Sequence, residues 1–203
     1  MKTKVAIIYY SSTGTNYETA KQVAAGVEQA GGEVRMRLVE ETAPEEAIES
    51  KEEWKAFVEA HKNEPRASHD DMLWADAVVF GTPTRFGNMA SQLKGFLDSL
   101  GPLWFEGKLA NKVYSGFTSA QNPHGGLETT LSSLYNTICH FGGIIVPPGY
   151  TDQSIFEAGG NPYGSATATG GEPGSISEAD QKAARFQGKR VCEIATMLKK
   201  GKS

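Results

Sequence analysis

Cysteine is scarce in this sequence: Cys139 and Cys192 are the only two in 203 residues. They stand far apart, with no Cys-x-x-Cys pair and no His/Cys cluster. That excludes a zinc ribbon, a thioredoxin-type redox pair and a disulfide-framed scaffold. No other metal-ligand spacing is present, so no metal is expected. Long apolar runs are missing too. No stretch approaches the ~20 apolar residues of a membrane span, and the run Val5 to Tyr10 is too short for the core of a signal peptide. A basic surplus is also absent. Twenty Lys and Arg face 24 Asp and Glu, for a net charge of -4, whereas a dedicated nucleic-acid binder carries a basic excess. The expectation is no nucleic-acid partner, no membrane span and, from the sparse thiols, a reducing, cytoplasmic address.

What is present fits an ordinary globular protein. Hydrophobic residues make up 39% and charged residues 22%, which excludes a mostly disordered chain. The length fits one domain spanning 1–203 with a sizeable core.

Val5 to Tyr10 is a continuous β-branched and aromatic run ended by Ser11-Ser12-Thr13-Gly14-Thr15. It reads as a strand buried on both faces. Ala20, Val23, Ala24, Val27 and Ala30 then recur at helical spacing before Gly31-Gly32. Val34, Met36 and Leu38 alternate with Arg35 and Arg37, as in a half-exposed strand near an edge. From Glu40 to Asp71 the chain is dense in charge, and a narrow apolar stripe of Ile48, Trp54, Phe57 and Val58 reads as an inserted surface helix with a solvated face. Ala77 to Gly81 and Val113 to Phe117 read as buried strands. Each is followed by a polar loop, 82–88 and 118–126, and then by a helix, from Met89 to Leu100 and from Leu127 to Phe141. Ile144 to Val146 is a short strand. Residues 149–176 are rich in Gly and lack a sustained period, as in a functional loop or a subunit arm. Ser177-x-x-Asp180 looks like a capping box, and a closing helix runs from there into the basic tail.

This alternation implies a parallel sheet with helices on both faces. Right-handed crossovers make it doubly wound. Ligands of such sheets bind beyond the carboxyl ends of the strands, at the topological switch point. That rule selects the loops after Tyr10, Gly81 and Phe117. The first has neither Gly-x-Gly-x-x-Gly nor a P-loop lysine. It offers Ser11, Ser12, Thr13, Thr15 and Asn16 around Gly14 at a helix start, a pattern that suits a phosphate monoester held by neutral donors. A set of N-cap residues in a tight turn explains the same pattern. The second loop adds Thr84, Arg85 and Phe86, and the third adds Ser119, Gln121 and Asn122. His124 reads as a surface histidine. The loops hold no acid pair and no nucleophile–base pair, so they suit a planar phosphorylated cofactor that brings its own chemistry.

These residues carry a family resemblance. Tyr9-Tyr10-Ser11-Ser12-Thr13-Gly14-Thr15 resembles the FMN phosphate loop of flavodoxin-like proteins. Gly81-Thr82-Pro83-Thr84-Arg85-Phe86-Gly87-Asn88-Met89 resembles the signature of the WrbA-type NAD(P)H:quinone oxidoreductases. Leu103-Trp104, Gly107-Lys108-Leu109, Gly125-Gly126, His140, Val146-Pro147, Pro162-Tyr163-Gly164 and Gln187-Gly188 extend the likeness over nearly the whole chain; the charged insertion is its weakest part.

The resemblance implies a flavodoxin-like, doubly wound, five-stranded parallel sheet. It implies a homotetramer that binds FMN and reduces quinones by two electrons with NADH or NADPH; the expected mechanism is a ping-pong cycle, in which the quinone takes the seat that NAD(P)H has left. Ser11, Ser12, Thr13, Gly14, Thr15 and Asn16 would hold the phosphate. Pro83, Thr84, Arg85, Phe86 and Gly87 would contact the flavin, and Ser119, Ala120, Gln121, Asn122 and Gly125 would close over it. Arg85 would stabilise charge on the reduced flavin. His140 would lie near the ring and serve the quinone oxygen, and Trp104 would wall a substrate pocket on a neighbouring subunit. The chain departs from many members by having Thr13 where they place an aromatic residue, and by Gln, Asn and Pro in the 118–126 loop. Read without the resemblance, His140 is a histidine at a helix end, Trp104 is a packing residue and Cys139 a structural thiol. A flavodoxin-type electron carrier is the alternative; carriers are shorter, more acidic and lack the Trp104 and Tyr163 regions. A phospho-receiver would need an acceptor Asp where Gly81-Thr82-Pro83 stands.

Overall fold

The computed structural model describes residues 2–201. Five parallel strands form the body of the sheet: β1 (Lys4–Tyr9), β2 (Glu33–Leu38), β3 (Ala77–Arg85), β5 (Val113–Ala120) and β6 (Ile144–Ile145), in spatial order β2-β1-β3-β5-β6. The order reverses direction between β1 and β3, which sets the switch point there. Two short strands extend the sheet at its carboxyl edge. β4 (Asn88–Met89) folds back antiparallel on β3, and β7 (Ala166–Ala168) runs parallel beside the end of β5.

Helices cover both faces. α1 (Thr15–Gln29) and α9 (Glu178–Gly201) pack on one; α4 (His69–Trp74), α5 (Ser91–Ser99) and α7 (Leu127–Phe141) pack on the other. The alternation of side chains along β1 sorts the core accordingly. Val5, Ile7 and Tyr9 join the α1/α9 layer, while Ala6, Ile8 and Tyr10 join the opposite one. α1 and α9 approach closely at two glycines. A Cβ on Gly26 would stand 1.9 Å from the Arg185 carbonyl oxygen, and one on Gly188 would stand 2.0 Å from that of Val23. The capping box at Ser177 and Asp180 forms, each side chain bonding the other's backbone N–H.

The 40–71 segment is not one surface helix. It breaks into α2 (Glu45–Glu49), α3 (Glu52–Ala60) and α4. Lys51 before α3 is extended, at φ -136°, and interrupts the helical run. The segment also covers the exposed edge of β2. Leu38 bridges Arg66, Arg35 and Arg37 both bond the buried Asp71, and Arg35 stacks over Trp74 at 4.2 Å. An edge strand is thereby blunted by charge and covered by chain.

The 149–176 stretch, which shows no period in sequence, contains two small elements: α8 (Gln153–Glu157) and β7. Upstream, a further short helix, α6 (Gly101–Phe105), follows α5. Among the described residues no helix is long and apolar enough to cross a membrane, and no group of His, Cys, Asp and Glu is placed to hold a metal ion.

Candidate functional site

The three loops chosen by the switch-point rule meet at the carboxyl edge of the sheet. Strand register brings them there: Tyr9 pairs with Gly81, Gly81 with Phe117, and Pro83 with Ser119. Ser11, Pro83 and Ser119, all buried, therefore stand in neighbouring rows.

The first loop is a tight turn into α1. The Ser11 hydroxyl accepts from the Gly14 N–H at 3.0 Å. Gly14 is the N-cap, at φ 99°, where a side chain would be strained, and it offers no side-chain cap to the helix. The first N–H groups of α1 therefore remain as donors. In that first turn Asn16 is 1% exposed, and its Oδ1 has no hydrogen-bond partner. A buried polar atom without a partner is costly, and its presence in a protein structure calls for a reason.

The second loop is shorter than its composition suggests, because β3 continues through Arg85. Only Phe86 and Gly87 turn, both at positive φ (52° and 76°), as a two-residue type I′ hairpin requires. Phe86 is fully exposed. A bulky residue held in the left-handed region costs roughly 1–2 kcal/mol, so this hairpin aims an apolar ring outward under strain. Arg85 is also exposed. Its guanidinium donates to the Thr84 carbonyl at 2.9 Å and to the Ser12 hydroxyl at 3.4 Å, joining the second loop to the first.

Thr84 ties the second loop to the third. Its hydroxyl donates to the Gly125 carbonyl at 3.2 Å and accepts from the Gly87 N–H. The Thr130 Oγ1 lies 2.8 Å from both that hydroxyl and the Gly126 carbonyl. Gly126 meets the hairpin so closely that a Cβ there would stand 2.7 Å from the Gly87 Cα. Ser119 and Ala120 belong to β5 and are buried; Gln121 and Asn122 are exposed, and Asn122 closes a turn with Gly125.

A fourth segment enters this site, one that the sequence shows only as a functional loop or arm. After β7 the chain follows the third loop, with Thr169 and Gly170 donating to the carbonyls of Ala120 and Gln121. It then crosses to the first loop. The Gly174 N–H donates to the Thr15 hydroxyl at 3.1 Å, and its Cα lies 3.4 Å from where a Cβ of Gly14 would stand. The glycine content of 170–174 is the one visible signal for so close a pass.

His140 and Trp104 are not at these loops in the same chain. α7 begins at Leu127 beside the hairpin, and His140 lies 13 residues along it, about 20 Å away. Trp104, on α6, joins His140 there: its Nε1–H donates to the His140 backbone carbonyl at 2.8 Å. Both side chains are exposed, as are Phe105 and Cys139. His124 is exposed, as expected of a surface histidine.

Fold and loops together define a doubly wound α/β protein of the flavodoxin type, with its polar loops gathered at the switch point. The family model of the NADPH-dependent FMN reductases matches residues 3–154. A Deinococcus radiodurans protein named NAD(P)H dehydrogenase (quinone) is 49% identical over 96% of both chains. One of the same name from Paracoccus denitrificans is 42% identical over 98% of this chain and 97% of its own. The crystal structure of a WrbA-like flavodoxin protein from Agrobacterium tumefaciens superposes with a TM-score of 0.69 at 25% identity, covering 97% of this chain and 99% of that one. An archaeal flavodoxin, 13% identical with a TM-score of 0.63, shares the fold. The chain belongs to the NADPH-dependent FMN reductase family and, within it, to the WrbA-type NAD(P)H:quinone oxidoreductases.

Proposed function

We infer that this protein is an FMN-dependent oxidoreductase that passes two electrons from NAD(P)H to quinones. The observation that carries this reading is the Asn16 amide, buried in the first turn of an uncapped helix with its oxygen unpartnered. A ligand with a phosphate at one end and hydroxyls along its chain fits both needs. Free N–H groups take the phosphate, and a hydroxyl donates to the orphaned oxygen. FMN is such a ligand.

Ser11, Ser12, Thr13, Gly14, Thr15 and Asn16 hold the phosphate by hydroxyls and backbone N–H groups. Pro83, Thr84, Arg85, Phe86 and Gly87 border the ribityl chain and ring. Ser119, Ala120, Gln121, Asn122 and Gly125 form the remaining wall. Bound FMN would supply the redox chemistry, two-electron transfer between NAD(P)H and a quinone. The protein's part is to hold charge and to exclude water. Arg85 places a permanent cation at the loop mouth, held toward the first loop by its bonds to the Thr84 carbonyl and the Ser12 hydroxyl.

Trp104 and His140 serve the flavin of a neighbouring subunit in a homotetramer. Trp104 walls the quinone pocket, and His140 donates a hydrogen bond to the quinone oxygen. Their exposure, their distance from their own loops and the apolar Phe105 beside them support that arrangement. A cytoplasmic address accords with two thiols that form no disulfide.

An anaerobic absorbance titration tests the reading. Purified protein loaded with FMN should bleach on NADH and recover on benzoquinone. Bound flavin that neither NADH nor NADPH bleaches would make the protein an electron carrier, and absence of bound flavin would overturn the site itself.

A further inference from the structure

We propose that Glu41 is a positioning residue of the flavin site, setting the phosphate loop from two sides through Tyr10 and Trp54. The proposal rests on the FMN reading above.

Glu41 follows β2 at the start of the charged insertion. Its carboxylate accepts five hydrogen bonds. The Tyr10 hydroxyl and the Trp54 Nε1–H reach Oε2 at 2.8 and 2.9 Å. The Gln92 amide reaches Oε1 at 2.7 Å, and the Thr42 and Ala43 N–H groups reach it at 3.0 Å each. A carboxylate offers about four lone-pair sites, so this one is saturated. Burial pushes its pKa up. The bonds from Ala43, Gln92, Tyr10 and Trp54 outweigh that and hold it below its ordinary value as the anion.

The three tethered side chains come from separate parts of the fold: the end of β1, the inserted α3 and the start of α5. Two of them lead to the phosphate loop. Tyr10 is bonded directly to Ser11 and is 2% exposed. Trp54 lies one helical turn before Phe57, whose ring stands 3.8 Å from where a Cβ of Gly14 would sit. Tyr10, Trp54 and Gln92 also line one cleft with Arg85. One carboxylate thus ties the insertion to Tyr10, where the chain enters the phosphate loop, and holds α3, whose Phe57 flanks Gly14. Removing it leaves the buried Tyr10 and Gln92 and the half-buried Trp54 without their acceptor, and the loop loses its fixed flanks.

The nature of the donors gives a specific test. In Glu41→Gln the amide oxygen still serves Gln92, Thr42 and Ala43, but the amide nitrogen faces Tyr10 and Trp54. A tyrosine hydroxyl can turn and accept; an indole N–H cannot. The conflict is therefore confined to Trp54, and Trp54→Phe relieves it.

The experiment titrates FMN into apo-protein by fluorescence quenching, for the wild type, E41A, E41Q, W54F and E41Q/W54F, with the thermal midpoint of each apo-protein measured separately. The expected result is a Kd about tenfold weaker in E41A and weakened in E41Q, with E41Q/W54F returning to within about twofold of W54F alone. Kd values within about twofold of wild type in both E41A and E41Q, whatever their midpoints, would overturn the proposal. So would a double variant as weak as E41Q. If E41A does not fold, the E41Q and W54F comparison decides alone. A wild type that binds no FMN would instead overturn the functional reading on which the proposal stands.

Discussion

The indole of Trp104 donates to the backbone carbonyl of His140 at 2.8 Å, tying the two residues together at the end of α7 remote from the switch-point loops. The bond fixes the ring of one and the main chain of the other as a single exposed unit. If Trp104 walls a neighbouring subunit's flavin site, as proposed, a chain with intact loops and a damaged Trp104 unit should be complemented by a chain with the reverse defect. W104A and R85A proteins, each poorly active, should regain quinone reduction when unfolded and refolded together. FMN affinity should fall in R85A and hold within about twofold in W104A. Mixed refolding that gives no more than the summed activities of the two variants would place the unit outside the neighbour's site.

The Gly174 strap predicts an effect on flavin release. Its N–H reaches Thr15, and its φ of 76° suits glycine. Gly174→Ala adds roughly 1–2 kcal/mol of strain to the closed strap, which opening relieves. FMN dissociation, followed by the recovery of flavin fluorescence on dilution, should quicken about tenfold. FMN should also protect residues 170–176 from limited proteolysis. An unchanged release rate in the variant would mean that the strap does not hold the ligand.

Some of this is legible in the chain and some is not, for identifiable reasons. The buried strands can be read because Val5 to Tyr10 and Ala77 to Gly81 are continuous apolar runs bounded by turn residues, and a parallel strand covered on both faces has no other signature. The three loops follow from the switch-point rule. Beyond Gly81 the pattern fails: Thr82-Pro83-Thr84-Arg85 reads as a turn, yet the strand carries on, because the hairpin partner Met89 pairs with Thr84 and no local signal announces that pairing. The insertion misleads for a different reason. Its charge suggests a solvated face, whereas Trp54 reaches Glu41 and Asp71 is buried against two arginines. A salt bridge between distant segments leaves no periodicity. The placement of His140 needs the helix to be laid on the sheet, since only its length and direction carry that residue away from the loops.

The crossing of α1 and α9 predicts opposite results for the same substitution at two sites. Gly188→Ala would put a Cβ 2.0 Å from the Val23 carbonyl oxygen, and the helices must part. Overpacking of this kind costs about 1–3 kcal/mol, more than the ~1 kcal/mol gained in helix propensity. Gly95, in α5, has nothing within 4 Å of where a Cβ would stand and no positive φ. Gly95→Ala should stabilise by about 0.5–1 kcal/mol. Urea midpoints of the two apo-proteins should therefore shift in opposite directions. A stable G188A would show that the crossing is not close-packed.

The first strand and the last helix meet at Asp76, and that junction should lose its strength in acid. The Asp76 carboxylate accepts from Lys199 Nζ at 2.7 Å and from the Lys4 N–H at 2.9 Å, tying the end of α9 and the start of β1 to β3. Burial raises its pKa, but the bonds from Lys199 and Lys4 and the nearby positive charge outweigh it, so the folded value lies below the ordinary 3.8. A depressed carboxyl pKa stabilises the fold at every pH above the unfolded value and ceases to do so as pH falls through the folded value. The pair is about one-third exposed on each side, so solvent screening limits the contribution to roughly 0.5–1 kcal/mol, or about 1–4 °C in Tm. Asp76→Asn should lower Tm by that amount between pH 5 and pH 7. The gap between wild type and D76N should then narrow below about pH 4 and shrink in 1 M salt. Glu41 and the other depressed carboxyls are common to both proteins, so the difference isolates Asp76. A gap that persists unchanged at about pH 3 would mean that Asp76 contributes through its neutral hydrogen bonds rather than through its charge.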